Sequence, residues 1–266
     1  MLTSILNEKY NPAGSQLRKA QMRMLDMLTF IDEVCLKHDI PYWLDSGTLL
    51  GAKRHGGFIP WDDDADICMR RKDAERLKTI LMADNGGSDF VIQCDETDPH
   101  AYCPWLVLRD LKSEYLQDSE VHKNRKYRGL QVDIFVLDDN VNGRLQKISW
   151  KLFRALVWAP FEGGTFKIFR PFVWLNYKLL TKVIFPLFRS ISGSSKEYFK
   201  FSYGSPFRST RFKKDIYPLT RIGFEGREFN APADSSSYLR TIYGNWERIP
   251  DPEQIVTHEV EVRFYE

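Results

Sequence analysis

Residues 57–70 read GFIPWDDDADICMR, and this stretch limits what the chain can fold into more than any other. Asp62, Asp63, Asp64 and Asp66 fall within five positions, between an apolar turn at Pro60 and a β-prone run. Ionised together, such groups repel one another unless a cation or water compensates them. The acids lead into a short strand, ADICM. Side chains alternate along a strand, so Asp64 and Asp66 point one way while Ala65 and Ile67 point into the core. Asp62 shares their parity but lies next to the Pro60 turn.

The flanking sequence mixes helical and strand periods. Residues 16–38 place Leu17, Met22, Met24, Leu25, Leu28, Ile31, Val34 and Cys35 on one helical stripe, ended by Pro41. YWLDSG reads as a strand running into a turn, TLLGAKRH as a helix, and ADICM as a strand. RKDAERLKTILMAD reads as a helix closed by Asn85-Gly86-Gly87. DFVIQCD, PWLVLRDLKSEYLQ and LQVDIFVLDD are β-rich. The pattern predicts an α+β (mixed α/β) fold, with a sheet core and flanking helices over residues 16–140.

From 141 to 214 aromatic residues interleave with Lys and Arg, and the acids are only Glu162 and Glu197. This reads as a basic, aromatic helical subdomain. Residues 215–266 return to short strands and turns that complete the catalytic domain. At 43% hydrophobic and 28% charged residues the chain is not a disordered one. Four scattered cysteines without a C-x-x-C pair, no export signal and no spanning apolar run predict a cytoplasmic protein with reduced thiols.

Converging carboxylates call for a hard divalent cation, and Mg²⁺ binds through one or two carboxylates plus phosphate oxygens. The bland alternative is an acidic surface loop capping the next helix. A calcium loop is excluded: Asp62, Asp64 and Asp66 match its first three ligand positions, but Ile67 stands where its turn glycine belongs and Asp73 where its closing Glu belongs. Upstream, Ser46-Gly47-Thr48 at a strand-to-helix junction suits the approach of a phosphate to backbone N–H groups. Downstream, Asp133 stands alone in the apolar run VDIFV and needs a partner, either the metal site or Arg128 or Lys126. Lys53, Arg54 and His55 stand either as phosphate clamps or as cations at a helix end. Arg109 and Lys112 are candidates to face the site. Tyr42, Trp43 and Trp61 stand either as a box for a quaternary ammonium or as packing under the sheet.

The order of a Gly-Ser/Thr turn, an Asp-x-Asp and a later single Asp resembles the nucleotidyltransferase superfamily. The fuller string YWLDSGTLLGAKRHGGFIPWDDDADICM resembles the LicD family of phosphocholine and phospho-alcohol transferases, related to the fukutin-type ribitol-phosphate transferases. FEG-EF-AP, YLRTIYGNW and IP followed by His258 are similar to that family's C-terminal end. The resemblance implies a nucleotidyltransferase-like core and transfer of a phospho-alcohol, phosphocholine first among them. The donor would be CDP-activated. The acceptor would be a sugar hydroxyl of a glycan precursor (lipopolysaccharide, teichoic acid or capsule), lipid-linked or not. It implies Asp64, Asp66 and Asp133 as ligands of Mg²⁺ or Mn²⁺ and Asp62 as a further catalytic acid. Ser46, Gly47, Thr48, Lys53, Arg54 and His258 would serve the cofactor-binding side. The proton acceptor is Asp133 or Asp62. The family's zinc-binding insertion has no counterpart in these cysteine spacings.

Two other classes compete. An Asp-x-Asp glycosyltransferase would want a nucleotide-binding βαβ unit ahead of the motif, and only one long helix and one short strand precede it. A binding protein would use the basic aromatic segment on anionic lipid or nucleic acid, but the acidic site opposes a polyanion on that face. The tryptophans and basic residues of 141–214 suit either the inner face of a membrane, lying on it rather than crossing it, or a helical subdomain packed on the core with its basic residues in water.

Overall fold

The computed structural model describes residues 2–84, 87–116, 119–162, 166–255 and 261–265. Helices α1 (Leu2–Tyr10) and α2 (Gln16–Lys37) lead to strand β1 (Trp43–Leu44), helix α3 (Ser46–His55), strand β2 (Asp66–Arg70) and helix α4 (Arg71–Ala83). Strands β3 (Phe90–Gln93), β4 (Leu106–Asp110) and β5 (Ser113–Tyr115), the short α5 (Glu120–Asn124) and the long β6 (Gln131–Asp138) follow. Next come helices α6 (Gly143–Phe153), α7 (Ala159–Glu162), α8 (Phe166–Leu179) and α9 (Phe185–Ile191), joined in part by π-helical turns. The chain closes with β7 (Tyr198–Phe201), β8 (Thr210–Phe212), α10 (Lys213–Ile216), the β9 (Thr220–Phe224) and β10 (Arg227–Ala231) hairpin, α11 (Ser235–Tyr243) and β11 (Val262–Phe264). This is the mixed α+β architecture that the alternating periods predict.

Among the described residues seven strands form one mixed sheet, in the order β1-β2-β6-β4-β3, with β7 also on β6 and β8 on β7. Only the β2–β6 pair is parallel; the other pairs of this sheet are antiparallel. A parallel pair requires a crossover between its strands, and α4, β3 and β4 lie within it. The consequence for the site is that β2 and β6 present their first residues at the same end of the sheet.

Helix α2 starts at Ser15, whose hydroxyl accepts the Arg18 backbone N–H at 3.0 Å. It buries Met24, Leu25, Leu28, Ile31 and Cys35 against the sheet, as its stripe predicts. Met22 does not belong to that stripe and is exposed; Gln21 and Asp32 are buried instead. The Asp32 carboxylate accepts from the Tyr42 hydroxyl and from Arg221 at 2.7 Å and 2.8 Å, and the partners of Gln21 are described below. A second apolar cluster, built from Phe153, Val157, Phe161, Val173, Tyr177, Leu180 and Phe185, gives the helical segment its own core. The 141–214 stretch is not helical throughout. Helices run to Ile191, and then β7 and β8 return to the main sheet. The four cysteines are free thiols.

Candidate active site

A cavity of about 410 Å³ opens beside β2 and β6. Asp62, Asp64, Asp66 and Asp133 line it, together with Phe135, Phe201, Phe207 and Tyr243, and with Ser46, Gly47, Ser209 and Arg211. Asp66 and Asp133 are register partners on the parallel strands, whose backbones run about 4.8 Å apart. The Asp133 backbone N–H donates to the Ala65 carbonyl at 2.9 Å, which locks that register. Asp66 is buried, Asp133 half-buried and Asp64 exposed. Asp64 lies before the strand begins, not on it, yet reaches the same cavity.

Three distant parts of the chain hold the acidic loop. From α2, Gln21 Nε2 donates to the Asp62 carbonyl at 2.9 Å and to the Ile59 carbonyl at 3.3 Å. From the β9–β10 turn, the Glu225 carboxylate accepts the Phe58 backbone N–H at 3.1 Å and is itself clasped by Arg18 at 2.6 Å and 2.9 Å. From α3, Gly51 allows the 57–59 backbone to approach: a Cβ there would stand 2.4 Å from the Gly57 carbonyl oxygen. Gly47 does the same for the acid itself, because a Cβ would stand 2.6 Å from Asp62 Oδ2. Glycine at position 47 thus makes room for a carboxylate of the site. Thr48 is buried, and its hydroxyl accepts the Asp66 backbone N–H at 2.8 Å, tying α3 to β2.

Behind the cavity lies a buried ion pair. Arg211 is 2% exposed and Asp45 fully buried, and the two meet at 3.1 Å and 3.2 Å. The Tyr238 hydroxyl donates to Asp45 at 2.6 Å and accepts from Arg211 Nε and Trp43 Nε1, both at 2.8 Å. The Ser46 hydroxyl donates to Asp45 at 3.0 Å. Ser46 holds a φ of 45°, in the left-handed region that a non-glycine residue adopts only when its surroundings impose it. The network fixes the start of α3 against the cavity wall.

The electrostatics are those of an acid cluster short of positive charge. Burial, with repulsion from Asp64, Asp133, Asp45 and Asp62, holds the Asp66 carboxyl well above its ordinary range. Burial and the neighbouring Asp64 and Asp63 do the same to Asp62. Asp133 is pushed up to about 6 by burial, against the pull of Arg109. A cation would relieve all three. The donors are hard carboxylate oxygens, which suit Mg²⁺ or Mn²⁺. Among the described residues no group of three His, Cys, Asp or Glu side chains is set to hold a metal unaided. The set therefore fits an ion bound by one or two carboxylates and completed by phosphate oxygens of a ligand.

The other candidates divide. Lys53 is exposed at the end of α3. Arg54 donates to the carbonyls of Trp246 and Arg248, both at 3.1 Å, and to His55 Nε2 at 3.0 Å, so it pins the C-terminal segment. Tyr42 and Trp43 are core residues, and Trp61 packs edge-on against Tyr10 and His55. None of the three lines the cavity. Arg128 pairs with Glu114 at 2.8 Å rather than with Asp133. Lys112 is exposed between β4 and β5, whereas Arg109 is buried and lines an adjoining cavity. His258 lies outside the described residues. Sequence reasoning missed Gln21, Glu225, Arg211 and the aromatic lining. For Glu225 and Tyr243 the signal was present in the FEG and YLRTIYGNW strings, without a reason attached to it.

The sheet thus sets an acid pair at the first residues of two parallel strands, with a loop held over them. Residues 39–162 match the family model described as LicD/FKTN/FKRP, nucleotidyltransferase domain. Over 93% of its length the chain is similar, at 24% identity, to the lipopolysaccharide cholinephosphotransferase LicD of Haemophilus influenzae, of which it covers 97%. It is 28% identical to an uncharacterized protein of Rickettsia prowazekii over 58% of this chain and 62% of that one. A stretch of 47 residues, 18% of this chain and 10% of the other, is 43% identical to the human ribitol 5-phosphate transferase FKRP. No helix among the described residues is long and apolar enough to cross a membrane.

Proposed function

We propose that the chain transfers phosphocholine from CDP-choline to a sugar hydroxyl of a glycan precursor. The observation that carries this reading is a single cavity lined by both Asp62, Asp64, Asp66 and Asp133 and the rings of Phe135, Phe201, Phe207 and Tyr243. Carboxylates suit a metal-bound pyrophosphate, and aromatic faces attract a quaternary ammonium. The name of the Haemophilus relative supports choline phosphate as the group transferred.

In this reading Asp64 and Asp66 would hold Mg²⁺ or Mn²⁺, which when bound neutralises charge on the phosphates. Asp133 accepts the proton of the attacking hydroxyl. Burial pushes its carboxyl up to about 6, toward the range where a general base works. The acceptor oxygen forms its bond to phosphorus as the bond to the cytidylate oxygen breaks, and CMP leaves. Asp62 sets the edge of the cavity against Gly47. The test is incubation of the full chain with a panel of CDP-alcohols and Mg²⁺ or Mn²⁺. CMP release with CDP-choline that is lost on chelation is expected; no release with any CDP-alcohol would overturn the assignment.

The location we propose is the inner face of a membrane, where lipid-linked acceptors are reached. Ile168, Phe172, Leu175, Leu179, Val183, Leu187 and Ile191 recur at three- and four-residue steps along α8 and α9, and all are exposed. Exposed Arg170 and Lys182 lie on the same helical run. An apolar stripe with basic neighbours suits the surface of anionic lipid.

A further inference from the structure

A second cavity, of about 290 Å³, adjoins the first and shares Asp64 with it. Its lining has a different character: Arg109, Arg125, His122, Tyr115 and Gln131, with Asp63 and Asp64. Arg109 is 2% exposed. Its Nε donates to Gln93 at 2.7 Å and its Nη1 to the Gly129 carbonyl at 2.9 Å, and no carboxylate pairs with it among the described residues. The Arg125 guanidinium has no hydrogen bond or ion pair among the described residues, and its Nε is buried without a partner. His122 is 6% exposed, and its Nε2 is buried and unpartnered too. Of the two carboxylates, Asp63 accepts the Tyr115 hydroxyl at 3.2 Å.

Buried like charges are costly without a counter-charge. The first cavity gathers carboxylates, whereas the second sets two guanidiniums beside Asp63 and Asp64, and neither guanidinium is paired with a carboxylate among the described residues. Repulsion from Arg125 adds to burial in lowering Arg109 to about 9. Gln131 joins the two sites, because it lines the second cavity and donates through Nε2 to Asp133 Oδ1 at 3.2 Å. Arginine forks and an unpartnered ring nitrogen match the oxygens of a phosphate.

We infer that the cavity between β4, β5 and α5 is a phosphate-binding subsite, with Arg109, Arg125 and His122 as its donors. The phosphate belongs either to the nucleotide end of the donor or to a phosphorylated acceptor. Only the choice between these rests on the transferase reading; the binding itself does not.

The experiment titrates the full chain with inorganic pyrophosphate in the presence of EDTA, by calorimetry, for wild type, Arg125→Gln and Arg125→Lys. Arg125 makes no side-chain bond among the described residues, so its replacement should leave the fold intact, which circular dichroism checks. Loss of one charged donor should weaken binding at least about tenfold in Arg125→Gln, with partial recovery in Arg125→Lys. Absence of saturable binding, or equal affinity in Arg125→Gln, overturns the subsite. In the transfer assay, a raised KM for CDP-choline assigns the phosphate to the donor. A raised KM confined to a phosphorylated acceptor assigns it to the acceptor. If the chain turns over and neither KM moves, the subsite has no substrate and the inference fails; if there is no CMP release, pyrophosphate binding alone decides the subsite.

Discussion

Among the described residues, Asp66 and Asp133 are register partners on the one parallel strand pair of the main sheet, 67 residues apart in sequence yet side by side where the two strands begin. Burial first, and then repulsion from Asp64 and Asp133, holds the Asp66 carboxyl well above its usual range. Asp66→Asn and Asp133→Asn should each lower CMP release by several orders of magnitude, since each removes charge acting on the transferring phosphoryl group. In EDTA the same variants should melt higher than wild type, by about 2–4 °C for each kcal/mol of repulsion relieved. Thermal melts with and without Mg²⁺ check this, and a variant that turns over normally would remove the assignment.

Gly47→Ala should separate geometry from folding. The added methyl meets the Asp62 carboxylate at 2.6 Å and must displace it. Rates fall steeply when catalytic groups shift by about 1 Å, commonly near 10²-fold. We expect kcat/KM to drop on that scale while the denaturation midpoint barely changes.

Arg211→Met should act in the opposite way, through stability. It leaves Asp45 fully buried with the Tyr238 hydroxyl but without its cation. Stranding one partner of a buried pair costs about 3–5 kcal/mol. Urea denaturation of the variant and of Arg211→Met combined with Asp45→Asn measures it; the double variant should recover part of the loss.

His55 should make stability fall in acid. Burial, then the neighbouring Arg54 guanidinium, pushes its imidazole down to about 4. An unfolded histidine titrates near about 6.5. As pH falls from about 6.5 toward 4, the unfolded chain takes up a proton that the folded chain refuses, so stability is lost across that window and is level below it. The end of a helix would favour the charged ring, but burial and the Arg54 hydrogen bond prevail. The stability difference between pH 7.5 and pH 4.5 should be smaller in His55→Gln than in wild type; equal differences would count against this account.

The exposed stripe on α8 and α9 should bind anionic vesicles at low salt and release them at high salt. Replacing Phe172, Leu175 and Leu179 with serine should abolish flotation without loss of the Phe153–Tyr177 core, since these side chains face outward. A protein that stays at the bottom of the gradient with anionic vesicles at low salt would exclude the membrane face as its station.

Much of this was legible before any coordinates. Ala65 and Ile67 are fully buried, as alternation requires, and Asp133 lies in a strand because its apolar neighbours leave it no alternative. Strand pairing was not legible. Nothing in the local pattern of DICM and VDIFV says that they run parallel, because that depends on the crossover between them. The aromatic lining escaped for a similar reason: Phe135, Phe201 and Phe207 come from β6, β7 and the loop after it. Tyr42 and Trp43 were candidates through nearness in sequence, which says nothing about the face of the sheet they occupy.

The three-point hold on the acidic loop has a consequence for how the chain divides. The family match ends at residue 162, but Glu225, Arg211 and Tyr243 all lie beyond it. Cutting the chain after the helical segment would leave Phe58 untethered and Asp45 a solitary charge in the core. The matched region is therefore not a unit of assembly: its acid-lined cavity is finished only when the later strands fold back over the first helices.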